Sequence, residues 1–211
     1  GKSCMGKLID LSRDIYDNMP VYPSDDNVRL HRSKYLERDK YVNHKLEIEM
    51  HAGTHIDAPM HLIESNIHIG EIPIDRFAGR GVMLDVRNES IIKYKDEYAD
   101  MVKESDIVLL YTGHGEKYGT ESYYTDHPAV DKGLADFLTG RKIKMLGMDL
   151  PSPDYYPFEI HKKLFENNIL IIENLTNLPV LSGAKNFYVL AFPLKIRAEA
   201  SPARVAAWVE D

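Results

Sequence analysis

The sequence predicts a single α/β domain built on a mixed β-sheet. Short apolar runs with strand character alternate with helical segments along the whole chain. No linker, internal repeat or low-complexity tract divides it. A length of 211 residues with 44% hydrophobic content suits one core of ordinary size. Residues 1–211 are therefore read as one domain.

Taken in order, Lys7 to Leu11 reads as a short strand. Residues 17–25, with Pro20 and Pro23, are turn chemistry held stiff and extended. Tyr16 and Tyr22 on this segment form either a pocket wall or ordinary packing. Residues 41–50 alternate polar and apolar in their second half, which predicts a half-exposed strand running into His51. Residues 62–80 are loop-rich, and His68 within them has no partner at ligand spacing, so it is read as surface. Gly81 to Val86 reads as a buried strand, and 94–104 as a short exposed helix.

Asp106 to Thr112 is a buried strand ended by Gly113-His114-Gly115, where a histidine suits a site or a turn equally. Residues 116–127 form a tyrosine-rich loop. Residues 128–140 run from Pro128 to Gly140 with Val130, Leu134, Phe137 and Leu138 at helical spacing, so they predict an amphipathic helix. Ile143 to Asp149 is a buried strand, 150–157 a proline-stiffened loop, and Phe158 to Asn168 a helix holding His161. Ile169 to Leu175 is a strongly apolar strand interrupted by Glu173. Phe187 to Phe192 and Arg204 to Val209 close the chain as strands.

The charge balance, 33 acidic against 26 basic residues for a net −7, argues against a nucleic-acid partner. No stretch approaches the twenty apolar residues of a membrane helix. The lone cysteine, Cys4, permits no intrachain disulfide and is read as a bystander in a frayed terminus. With no signal-peptide pattern, a cytoplasmic location is expected. The chain opens at Gly1 rather than methionine, so its first residues are read as processed or added.

The chemistry concentrates in His51-Ala-Gly-Thr-His55-Ile-Asp57-Ala-Pro-Met-His61, which holds three of the nine histidines and an aspartate. Imidazole and carboxylate are the usual ligands of zinc and similar metals. A straight strand would spread these four over roughly 33 Å, so a shared centre demands a bend. Gly53 can supply it. Thr54 then reads as a helix N-cap with Asp57 in capping-box spacing, and a short helix carries His55 to His61. Farther on, Glu173 follows Ile-Leu-Ile-Ile, where a lone charge is costly to bury. Either it lies in water at the strand's end, or something positive meets it. His161, twelve residues earlier, is a candidate companion.

The run His51-x-Gly53-Thr54-His55-x-Asp57-x-Pro59-x-His61 resembles the signature of the metal-dependent hydrolase family labelled "cyclase", which includes bacterial kynurenine formamidases and isatin hydrolases. Asp10-Leu11-Ser12, Tyr22-Pro23, the Gly-x-Asp-x-x-Ser-x-Asp segment from Gly147 to Asp154, and the His161–Glu173 pair match further family features. The resemblance implies a compact domain of the swivelling β/α/β, cyclase-like type, with a mixed, barrel-like sheet core flanked by helices. It implies that His51, His55 and Asp57 bind a first metal, that Asp57 bridges to a second completed by His161, and that Glu173 contacts the pair. His61 would then be the general acid–base, and Tyr22 a substrate-binding residue.

Two zinc ions, or manganese, would activate a water to attack an amide carbonyl. The implied activity is arylformamidase-like hydrolysis of N-formyl-L-kynurenine or a related small amide, by a homodimer or larger homo-oligomer, in tryptophan catabolism. The alternatives are an isatin-type cyclic amide or lactone hydrolase using manganese, and a non-catalytic metal or ligand binder. Kynurenine formamidases typically carry tryptophan where this chain has Tyr22, so the resemblance carries the reaction class further than the substrate.

Overall fold

The computed structural model describes residues 6–211. The Cys4 expectation lies outside them. The described residues begin with strand β1 (Gly6–Asp10), followed by an arm of β2 (Arg29–Lys34), helix α1 (Leu36–Asp39) and β3 (Asn43–Glu47). β4 (His55–Asp57) follows, with a 3-10 turn at Pro59–His61. Next come β5 (Ala78–Asp85), the two-residue β6 (Ile91–Ile92), α2 (Tyr98–Met101) and β7 (Ile107–Tyr111). Then follow α3 (Glu121–Thr125), the two-residue β8 (Ala129–Val130), α4 (Lys132–Gly140) and β9 (Met145–Met148). α5 (Glu159–Glu166), β10 (Leu170–Glu173), β11 (Phe187–Pro193) and the long β12 (Ala200–Glu210) complete the fold.

Seven strands close on themselves in the order β12-β11-β5-β7-β9-β10-β4, because β4 pairs both with β10 and with β12. β5, β7, β9 and β10 run parallel, whereas β4, β11 and β12 pair antiparallel. β1 adds to the outside of β12. The expected mixed α/β architecture with a barrel-like core is therefore present.

Of the parallel strands, β7 and β9 carry no charged residue and are wholly buried because both their faces are covered. Side chains alternate: Ile107 and Leu109 join the barrel interior with Ile56, Met145, Ile172 and Val205, whereas Val108 and Leu110 face the helices with Leu134, Leu138, Leu164 and Phe165. The interior is tight enough that a Cβ on Gly147 would come within 2.8 Å of Leu109. That glycine leaves room inside the barrel for the side chains of its strand neighbours Leu109 and Ile172 and of Leu175.

Several boundaries differ from the sequence reading. His55 to His61 is not a helix. β10 and β12 capture residues 55–57 into the sheet, and Pro59 confines the helical turn to 59–61. The strand expected to reach His51 ends at Glu47. The helix expected over 128–140 starts only at Lys132, where the Asp131 side chain accepts from Leu134 N, and the residues before it pair with β6. The helix over 94–104 shrinks to one turn, and Tyr98 in it is buried rather than exposed. The helix over 158–168 spans only 159–166 because Phe158 takes a left-handed conformation before it. The tyrosine-rich loop includes the short α3, and Tyr123 on it is fully buried. Strand β2 and helix α1 of the arm correspond to no element predicted from the sequence.

Candidate metal centre

Asp57 is the centre of the site. It ends β4 with its side chain wholly buried, and among the described residues neither carboxylate oxygen has a hydrogen-bond donor. An ionised carboxylate so placed costs several kcal/mol unless positive charge meets it. His51 Nδ1 and His55 Nε2 lie 2.9 and 3.2 Å from its Oδ1, and His161 Nε2 lies 3.8 Å from Oδ2. Among the described residues no hydrogen bond is aligned at these approaches. The set suits a divalent cation of the zinc or manganese kind, which takes imidazole and carboxylate donors together.

Sheet register brings the distant carboxylate in. β10 runs antiparallel to β4 with Glu173 opposite His55 and Ile171 opposite Asp57. Residues two apart share a face, so His55, Asp57 and Glu173 lie on the same side. Glu173 Oε1 is 2.9 Å from His55 Nε2, and its Oε2 is 3.2 Å from His161 Nε2. Glu173 is thus buried among histidines rather than free in water at the strand's end. Among the described residues two groups of donor atoms fall close enough to hold an ion: His55, Asp57 and Glu173 in one, and His51, Asp57 and His61 in the other. Asp57 belongs to both.

The outer nitrogens of three of these histidines are held. His55 Nδ1 donates to Gly53 O at 2.7 Å, and His161 Nδ1 donates to Asp154 Oδ1 at 2.7 Å. His51 Nε2 lies 3.3 Å from Glu199 Oε2. Each hydrogen bond leaves the other nitrogen facing Asp57 or Glu173. Among the described residues His61 has no such anchor. Its ring packs on His51 with centroids 4.1 Å apart and stands 6.1 Å from His161.

The backbone around Gly53 is fixed by contacts the sequence did not announce. Gly53 has φ 64°, the left-handed region that glycine tolerates. Asn174 Nδ2 donates to Gly53 O at 2.8 Å, and Tyr123 OH donates to Asn174 Oδ1. Thr54 does not cap a helix. Its hydroxyl donates to Asn174 O and accepts from Arg13 N, which ties the turn to the ends of β10 and β1. Asp154 also accepts from the backbone N–H of Ile160 and His161, so it starts α5 and orients His161 at once. Asp149, in the same sequence segment, accepts from Thr112 and Gly113 and braces the end of β7 instead. His114 donates to Tyr123 O and stacks on its ring, so it serves packing and not the centre.

The cluster shifts its own titrations. Burial pushes the His51 and His55 imidazoles down, but the Asp57 carboxylate beside them outweighs it and raises them to about 11 and about 9. Burial works to raise Asp57, and the neighbouring His55 and His51 overturn that, holding it well below the carboxylate range. His61 goes the other way, lowered chiefly by burial. A cleft of about 240 Å³ opens over the centre, lined by Tyr22, Asp25, Leu62, Tyr124, Ser152 and Phe158 as well as the histidines. The Tyr22 ring meets Tyr124 edge-on at 5.8 Å. Asp25, Tyr124, Phe158, Asn174 and Glu199 were missed in the sequence, since each stands outside any ligand-spaced pattern.

A closed mixed barrel with a shared histidine–carboxylate centre on the helix-facing side of β4 and β10 defines the class of the protein. The family follows from residues 9–155, which match the family model described as "Putative cyclase"; the chain belongs to the cyclase family. It is 30% identical over 204 residues to a kynurenine formamidase of Bacillus cereus, covering 93% of this chain and 94% of that one. It is 34% identical over 204 residues to an uncharacterized protein of Methanocaldococcus jannaschii, covering 95% and 98%. A solved structure described as a potential metal-dependent hydrolase with cyclase activity superposes with a TM-score of 0.81 at 27% identity, over 98% of this chain and 100% of that one. An isatin hydrolase bound to a product analogue shares the fold, with a TM-score of 0.87 at 20% identity over 98% and 93%.

Proposed function

We propose that the protein is a metal-dependent amidohydrolase that cleaves a small aryl formamide, with N-formyl-L-kynurenine the leading candidate. The amidohydrolase class is supported by the kynurenine formamidases that match along more than nine-tenths of the chain. The single observation that carries the chemistry is Asp57, whose two buried oxygens have no donor among the described residues and face three histidines.

On this reading His51, His55 and Asp57 would hold one ion, His161 together with Asp57 would hold a second, and Glu173 would serve the same centre. Zinc is the first choice and manganese the second. The bound metal supplies Lewis acidity, which lowers the pKa of water and polarises a carbonyl. The chain's own residues do the rest. Gly53 O and Asp154 keep the rings of His55 and His161 in the orientation their roles need. Tyr22, Tyr124, Leu62 and Phe158 flank an aryl group and limit water around it.

His61 is the proton carrier. Its unanchored ring, lowered by burial, is neutral near pH 7 and free to take a proton from the attacking water. It returns that proton to the amide nitrogen as the C–N bond breaks, because an amine anion is a poor leaving group. Formate and the free arylamine are the products.

The test is a panel of N-formylkynurenine, formanilide, isatin and a lactone, offered to the metal-loaded protein and to His61→Ala. Turnover of the formamides by the wild type, lost in a variant that still binds metal, is expected. Turnover of isatin alone would move the function to cyclic amides. No turnover by the metal-loaded wild type would leave a binding protein.

A further inference from the structure

We propose that Glu199 is a positioning residue: it fixes which nitrogen His51 presents to the metal and, through the stacked rings, where His61 stands. The inference rests on the metal-binding part of the proposed function and adds a residue to it. Glu199 lies outside the residues 9–155 that carry the family match. It immediately precedes β12, whose first residue, Ala200, pairs with Asp57. Its carbonyl accepts from Ala58 N at 2.9 Å, so its backbone is locked beside the centre.

The side chain reaches His51, with Oε2 3.3 Å from Nε2. The opposite nitrogen, Nδ1, is the one 2.9 Å from Asp57. A carboxylate accepting the Nε2 proton selects the tautomer in which Nδ1 carries the free lone pair. The other two histidines have deeper anchors, a backbone carbonyl for His55 and the buried Asp154 for His161. His51 has neither. It sits in a turn outside the sheet, with its side chain 23% exposed, and Glu199 is the group that holds its outer nitrogen. Because His61 packs on the same ring at 4.1 Å, a His51 free to rotate also loosens His61.

The experiment compares Glu199→Ala and Glu199→Gln in the full chain. Zinc affinity is measured by competition with a chromophoric chelator, and the histidine ring nitrogens are read by NMR in the zinc-loaded protein. Alanine removes the acceptor, and a 10–100-fold loss of affinity is expected. The slowly exchanging Nε2 proton of His51 should vanish with it. Glutamine keeps an acceptor oxygen at the same reach and should restore affinity to within a few-fold of wild type. Wild-type affinity in the alanine variant would overturn the proposal, as would a glutamine variant as weak as the alanine one. These readouts need no substrate, so failure of every amide in the panel would leave this test intact.

Discussion

At the scale of single residues, the centre is held together by opposite charges that a metal would replace. Asp57 stays ionised in a wholly buried place because histidines surround it. Replacing it by asparagine keeps the shape and removes the charge. Asp57→Asn is expected to lose both ions, seen as metal content falling to background by plasma mass spectrometry. His61→Ala is expected to keep its metal and lose turnover by roughly 10²–10⁴-fold. A variant that lost its metal as well would make His61 a ligand, a role its closeness to His51 and Asp57 also permits.

The raised histidines give a pH dependence with a definite sign. In the metal-free protein His55 and His51 titrate at about 9 and about 11, above the ordinary 6.5. Their stabilising contribution is complete below about pH 6.5 and fades as pH rises through those values. Metal binding needs the same nitrogens unprotonated, so stabilisation by zinc grows with pH. Thermal melts with and without zinc should separate more widely at pH 9 than at pH 6; equal gaps would contradict the assignment.

At the scale of elements, the bend matters more than any helix. Gly53 holds φ 64°, and a Cβ there would also meet Met19 Cε at 3.0 Å. Gly53→Ala should lower stability by about 1–2 kcal/mol in urea unfolding, since a left-handed alanine is strained. It should weaken metal binding too, because Gly53 O anchors His55. Four of the site's histidines, its aspartate, its glutamate and the need for a glycine bend were legible in the sequence, because ligand-type residues at close spacing stand out. The strand at His55–Asp57 was not. Three residues are too few to show a period, and capping-box spacing at Thr54 and Asp57 mimics a helix start. Pairing to β10 and β12, more than a hundred positions away, decides the matter. Asn174 and Glu199 were illegible for the same reason: their partners, Gly53 and His51, are distant in sequence.

At the scale of the whole molecule, the closed barrel explains why β4 can carry the site on its helix-facing side. β12 and β10 flank β4 on either side, so residues 55–57 are clamped between two long-range pairings. The arm of β2, α1 and β3 is the opposite case. It has no buried residue of its own, and Tyr35, Leu36, Tyr41, Val42 and Leu46 are exposed on it. Two-stranded hairpins are marginal in water without a covering face. Residues 29–47 also carry six lysines or arginines against three acidic residues, on a chain of net charge −7. A second, acidic copy of the same chain suits that arm. Light scattering after gel filtration should give a homodimer or larger, and Leu36→Asp with Leu46→Asp should shift it toward monomer. A monomeric wild type would contradict this. No helix among the described residues is long and apolar enough to cross a membrane.

Sharing of Asp57 between two ions is open to native mass spectrometry of the zinc-loaded chain. Two ions per chain are expected in the wild type and neither in Asp57→Asn. A wild type that never binds more than one ion, or an Asp57→Asn chain that still binds two, would contradict it.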